Sequence, residues 1–195
     1  MITERQNLIN FIKLTMPMSD NIAREIADNF EPSSLYKNDF LLKEGKTCNE
    51  YFFLENGFMR AYTFDTEGND VTTNFYGRNS IVFEVASYIK RTPSQENIQA
   101  LTDCFGWKGN YTDLQNLFHT IPEFRGFTRA VLVNSFIALK ERTLSMINLT
   151  AEKRYEILLI SSKEIIQNVS IKHIASYLGI TDTSLSRIRK EIAVK

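Results

Sequence analysis

Residues 170–195, SIKHIASYLGITDTSLSRIRKEIAVK, constrain the fold more than any other stretch. They read as two short helices joined by a tight turn. Ser170 is suited to cap the first, because its hydroxyl can accept from the orphan N–H groups of the opening turn. Ile171, Ile174, Ala175 and Leu178 follow at the spacing of one buried helical face. Ala175 is small where a second helix must cross closely. Gly179 can adopt the left-handed backbone that ends a helix and turns the chain. Thr181 is suited to cap the second helix, and Asp182 in its first turn suits the positive end of the dipole.

Leu185, Ile188 and Ile192 form the buried stripe of that second helix. Its other face carries Thr183, Ser186, Arg187, Arg189 and Lys190. Over residues 171–190 the joint spacing is that of a DNA-binding helix-turn-helix. The competing reading is a plain helical hairpin with a solvated basic face.

Composition is that of a globular chain, 43% hydrophobic and 24% charged over 195 residues, enough for one large or two small domains. No apolar run approaches the roughly 18–20 residues that span a bilayer. The opening MITERQNLINFIKL lacks an apolar signal region and a small-residue cleavage site, so a cytoplasmic location is expected, with no membrane contact. Net charge is zero. That is compatible with DNA binding, because only the docking face must be basic. Within residues 182–195 four basic residues stand against two acidic ones. The two cysteines, Cys48 and Cys104, cannot supply the four thiolates of a usual iron–sulfur cluster and fit no CxxC spacing. They are expected as buried, reduced thiols. The histidines, His119 and His173, lie far apart in sequence. His173 falls in the first helix of the motif, where a surface or phosphate-contacting role is expected. No metal site, catalytic residue or cofactor is expected.

Helices are expected over residues 3–14 and 20–30, interrupted at Met16-Pro17, with Ser19 and Asp20 as caps for the second. From about residue 34 to 110 short apolar runs alternate with turn residues. Asn56-Gly57 is a hairpin signal, and residues 65–70 make a longer hairpin loop. Residues 98–101 and 104–108 read as a closing pair. This texture predicts an antiparallel jelly roll, interrupted by a helix-like EVASYIK and a loop RTPSQEN. Thr112 is expected to cap a short helix, and Pro122 to start a long one reaching about residue 147. In the long helix Ala130, Ile137 and Leu144 recur every seven residues, with Val133 and Ile147 on the adjoining seam and Lys140 breaking it once. Such a stripe can pair with its copy across a two-fold axis, or simply cover the barrel. A further helix is expected from Thr150, as cap, to about Gln167.

The order of barrel, long helix and C-terminal helix-turn-helix, with Leu41, Gly45, the run Tyr51-Phe52-Phe53-Leu54, Gly57 and Arg60 in the barrel, resembles the Crp/Fnr family of bacterial transcription regulators. The ending IASYLGIT…SLSRIRKE is similar to the Bacteroidetes-type members. The resemblance implies an α+β chain. A double-stranded β-helix of the cyclic-nucleotide-binding type, with flanking helices, would occupy residues 1–118. A dimerisation helix would occupy 119–148, and a winged-helix-like DNA-binding domain 149–195. Little chain remains after the second helix for a wing. The implied partners are double-stranded DNA and a second copy of the chain, with RNA polymerase admitted as a further contact.

In cyclic-AMP-binding relatives a glutamate takes the ribose hydroxyl, and ten residues later an arginine, then a hydroxyl residue, take the cyclic phosphate. Aligned on IQALTDC, the ligand pocket would hold Phe83, Glu84, Ser94 and Gln95. Glu84 matches the ribose position, but Ser94 stands where the arginine should be. A buried phosphate without its arginine lacks the main interaction offsetting desolvation. Cyclic AMP is therefore not expected to bind in the family mode. The resemblance places Asp182, Thr183 and Arg187 at base-contacting positions, with Arg187 suited to bidentate reading of a guanine edge. Ser170, Lys172, His173, Arg189 and Lys190 are read as phosphate-positioning groups.

Two other classes share features of this sequence. A cupin enzyme shares the jelly roll but needs histidine ligands, and residues 34–110 contain no histidine. A small-molecule sensor or interaction protein with a degenerate DNA-binding domain is the alternative.

Overall fold

The computed structural model describes residues 5–194. The expected helix start at residue 3, and Lys195, lie outside the described residues. Helices α1 (Gln6–Thr15) and α2 (Asp20–Ala27) lead into strands β1 (Glu31–Leu35), β2 (Phe40–Leu42), β3 (Glu50–Asn56), β4 (Met59–Phe64), β5 (Asp70–Tyr76) and β6 (Ser80–Val82). Helix α3 (Val85–Lys90) interrupts before β7 (Asn97–Ala100) and β8 (Cys104–Asn110). Six helices complete the described chain: α4 (Tyr111–Thr120), α5 (Pro122–Asn148), the pair α6 (Ala151–Ser161) and α7 (Lys163–Asn168), then α8 (Ile171–Leu178) and α9 (Asp182–Val194).

The strands form two antiparallel four-stranded sheets, ordered β1-β8-β3-β6 and β2-β7-β4-β5. This is the expected double-stranded β-helix. Its turns follow the expected chemistry. Gly57 sits at φ +101°, and a Cβ there would come within 2.5 Å of the Asp103 carbonyl. In the longer loop Asp65 Oδ1 accepts from Glu67 and Asn69 N–H groups, closing the β4–β5 hairpin.

Strand β3 is buried on both faces, so Tyr51-Phe52-Phe53-Leu54 reads as a continuous apolar run. Phe53 turns to the outer side and meets Phe11 of α1, ring centroids 5.0 Å apart. Phe11 in turn meets Phe127 of α5 edge-on at 6.1 Å. Phe30, Phe52, Phe53, Phe124 and Phe127 are fully buried, each contributing about 1.5–3 kcal/mol by leaving water. Pro122 opens α5 at its first turn, as expected.

Four expectations are corrected. Strand β1, EPSSL, begins before the expected strand region at about residue 34, and its Pro32 and two serines are weak strand formers. It is the edge strand beside β8, where proline costs no needed ladder bond. Helix α2 stops at Ala27, short of residue 30. Asn110, not Thr112, caps α4: its side chain accepts from Asp113 N–H, because β8 runs straight into the helix. The expected single helix over 150–167 breaks at Ser162, whose backbone (φ −146°, ψ 48°) leaves the helical region. Ser161 and Ser162 are adjacent there, and such pairs compete for the backbone hydrogen bonds of a helix.

Candidate nucleic-acid interface

The C-terminal motif folds as its spacing requires. Ser170 Oγ accepts from His173 N–H, and Gly179 takes φ +67°. A Cβ on Gly179 would lie 2.7 Å from Met146 Cε. Thr181 Oγ1 accepts from Ser184 N–H to open α9. Ile174, Ala175, Leu178, Leu185 and Ile188 are buried together with Tyr155, Leu158, Ile165 and Val169 from α6, α7 and the loop before α8. Arg154 of α6 closes two helix ends at once, donating to the Leu149 and Leu178 carbonyls at 2.7 Å each. Those are the negative ends of two dipoles.

On α9, Thr183, Arg187 and Lys190 follow at i, i+4 and i+7 and share one exposed face, with Arg189 exposed and Ser186 half-buried beside it. The Arg187 side chain is 77% exposed, and its one acidic neighbour, Glu191, is 3.8 Å away. An exposed pair at that distance costs little to open. Asp182 accepts from Thr183 N–H and so completes the helix start. The α9 set therefore stands together and outward. Among the described residues no strand follows β8, so the C-terminal unit is all helix.

Helix α8 is different. It covers β5, the free edge of its sheet. Ser176 Oγ accepts from Thr72 N–H at 2.8 Å and donates to the Asp70 carbonyl at 3.2 Å. Arg142 of α5 donates to the Thr72 and Tyr177 carbonyls and lies over the Tyr177 ring. Tyr177 also meets Phe75 of β5 in a tilted contact, ring centroids 5.0 Å apart. Unpaired backbone groups of an edge strand are thus satisfied by side chains of α8 and α5.

At the centre of this contact lies Arg60 of β4, only 4% exposed. It pairs with Asp70 at 2.7 Å, lies over the Tyr62 ring, and donates to His173 Nδ1 at 2.8 Å. Guanidinium has no acceptor atom, so that ring nitrogen must carry no proton. Burial, with the Arg60 charge beside it, lowers the His173 pKa to about 4, against a smaller opposing effect of Asp70. Burial would raise the Asp70 carboxyl, but hydrogen bonds from Arg60 and Lys172 outweigh it and the pKa falls. His173, expected at the surface or on a phosphate, is instead a half-buried neutral acceptor facing the barrel. Lys172 reaches Asp70 at 3.2 Å with its side chain 70% exposed, so it can still turn outward. Asp70, Arg142, Ser176 and Tyr177 were not singled out by sequence, and Arg60 only as part of the barrel string. The contacts these residues make with α8 span 35 to 113 positions, and no local pattern marks them.

The expected ligand pocket does not assemble as a phosphate cradle. Glu84 accepts from Ala86 and Ser87 N–H and serves as the cap of α3. Ser94 is buried, and its hydroxyl bonds the N–H and carbonyl of Glu96 within a local turn. Gln95 is exposed. Arg91 is held by the Cys48 carbonyl, Asn49 and the Tyr111 ring. Phe83 packs in an aromatic cluster with Tyr51 and Tyr88. Cys48 and Cys104 are buried free thiols, each raised in pKa by desolvation. Among the described residues no cluster of three or more His, Cys, Asp or Glu is placed to hold a metal, and no helix is long and apolar enough to cross a membrane.

Residues 32–120 match the cyclic nucleotide-binding domain family. The barrel has the fold of such a domain, and the chain as a whole has the fold of solved Crp/Fnr regulators. Among solved structures, FixK2 from Bradyrhizobium japonicum superposes with a TM-score of 0.74 at 14% identity, covering 85% of each chain. The c-di-GMP-responsive global regulator CLP of Xanthomonas campestris gives 0.71 at 15% identity, over 90% of this chain and 92% of that one. A transcriptional regulator of the Crp/Fnr family from Eubacterium rectale gives 0.71 at 16% identity, over 93% and 88%. No curated protein sequence matches significantly. The Crp/Fnr fold therefore extends through α5 to α9, well beyond the residues of the domain match.

Proposed function

We propose that the chain is a homodimeric DNA-binding transcription regulator with a sensor barrel that does not hold cyclic AMP in the family mode. The observation that carries this is the exposed α9 face: Thr183, Ser186, Arg187 and Lys190 stand on a helix whose opposite side is locked into a core of its own. A helix-turn-helix presents its second helix to the major groove in this way, and one helix alone reads too few base pairs for a specific site. Helix α5 supplies the means of pairing. Val133, Phe136, Ile137, Leu144 and Ile147 are exposed along it, Ile147 at 73%. An exposed apolar stripe of this length on a free helix is an interface in search of its partner, and a second copy satisfies it by symmetry.

The chain should sediment at roughly twice its 22.6 kDa mass, and Ile137→Asp should yield the monomer. Selection of random duplexes by the purified protein should return a two-fold symmetric site with half-sites about one helical turn apart. Failure to enrich any site, in a preparation that is dimeric, would sink the reading. The docked α8 favours a second reading, a sensor or interaction module whose DNA-binding unit is held by the barrel; that reading predicts dimers without any selected site.

A further inference from the structure

We propose that the cavity between β3, α3, α4 and α5 binds a neutral, planar molecule of one or two aromatic rings carrying a hydrogen-bond acceptor. This goes beyond the regulator reading and stands whether or not the chain reads DNA.

The cavity has a volume of about 260 Å³. That lies between a site of about 150 Å³ that holds benzene and the roughly 300–1,000 Å³ of drug-sized pockets. It sits outside the jelly roll, on the face of β3 that turns Tyr51 and Phe53 toward the helices. Of the residues expected around a nucleotide, it includes only Phe83.

Its chemistry is selective. None of its lining side chains is charged, so neither a phosphate nor a carboxylate would find compensation there. Tyr51, Phe83, Tyr88 and Tyr111 supply rings in tilted and edge-on pairs, with centroids 4.6 to 5.4 Å apart along the series. Such an array favours another aromatic face or edge. One polar atom lacks a partner: the Tyr51 hydroxyl is buried and makes no hydrogen bond. Burial, reinforced by Tyr88, raises its pKa, so it stays protonated and can donate. A buried donor without an acceptor is costly, and a ligand that supplies one recovers that cost. Ile89 and Phe118, both exposed apolar residues, stand among the lining groups.

The position also matters. Phe124, Thr128 and Leu132 of α5 line the cavity, directly before the exposed stripe that starts at Val133. A ligand held here touches the helix that joins the barrel to the reading unit.

Binding is tested on the full chain with two uncharged probes, 2-acetylnaphthalene and naphthalene, followed by calorimetry. The wild type should bind the ketone about tenfold more tightly than the hydrocarbon, one good hydrogen bond in a dry site. Tyr51→Phe should bring that ratio close to one while leaving naphthalene binding unchanged. Because it removes an unpaired buried hydroxyl, this variant should melt no lower than the wild type. Thr128→Trp, which fills the space from α5, should abolish both. In the wild type, the bound ketone should show magnetisation transfer to the methyls of Leu114 and Leu132, a readout that needs no variant. The inference is overturned if neither probe binds, if the preference survives Tyr51→Phe, or if the probe contacts other methyls instead.

Discussion

Helices α8 and α9 are neighbours in one motif, yet their polar residues meet opposite fates. On α8, His173 and Ser176 are engaged within the chain, one by Arg60 and the other by the edge of β5. On α9, Arg187, Arg189 and Lys190 are exposed, with only a long i,i+4 pair between Arg187 and Glu191. Both helices look basic and amphipathic in the sequence. The difference is that α8 meets an unpaired strand edge and a buried guanidinium, whereas α9 meets solvent. A basic, amphipathic pattern is therefore not in itself an exposed face; what the helix meets decides.

The largest expected effect breaks the α8 side. Arg60→Met removes the cation from a buried pair and leaves Asp70 with Lys172 alone, which should cost about 3–5 kcal/mol. Urea unfolding would show it as a lower midpoint at unchanged slope. A loss below about 1 kcal/mol, the range of a surface pair, would mean that the dock does not hold as described.

A second, smaller effect is a pH dependence peculiar to α8. The native His173 ring binds its proton less readily than a free imidazole, with a pKa of about 4 against an ordinary value of about 6.5. A depressed native pKa means that the unfolded state takes up the proton first. The contribution to stability is thus complete above about pH 6.5 and is lost as the pH falls from there toward 4. Asp70, lowered by Arg60 and Lys172 against its burial, loses its own share only at still lower pH. Stability measured between pH 7.5 and 4.5 should fall in the wild type and fall less in His173→Gln, whose amide oxygen can still accept from Arg60. Identical profiles would place His173 outside the contact.

The smallest effect separates the lysines. Lys190→Ala should weaken binding to all duplexes alike and reduce the slope of log K against log salt by about 0.9, one phosphate contact. Lys172→Ala would give the same change only if Lys172 leaves Asp70 and turns to the DNA. An unchanged slope would keep it with the barrel.

The motif itself was legible because everything that makes it is local. The caps at Ser170 and Thr181, the left-handed Gly179 and the stripes ending at Leu178 and Ile192 all act within a few residues of one another. The hairpins at Gly57 and Asp65–Asn69 were legible for the same reason. Strand β1 was hidden by Pro32, which is acceptable only because that strand lies at an edge. The break at Ser162 has no glycine or proline to announce it. The dock of α8 on β5, and the aromatic cavity around Tyr51, join residues from distant parts of the chain. No periodicity encodes them, and the three-dimensional pairing alone brings them together.

The central claim is that α9 reads while α8 holds. Its most direct test is the affinity of Arg187→Ala and His173→Ala for the selected duplex and for an unrelated one, by fluorescence anisotropy at fixed salt. Arg187→Ala should lose at least about tenfold on the selected duplex, one bidentate base contact, with little change on the unrelated one. His173→Ala should change neither affinity appreciably while lowering the melting temperature. If His173→Ala instead costs as much DNA affinity as Arg187→Ala, with no loss of stability, the division between the two helices is wrong.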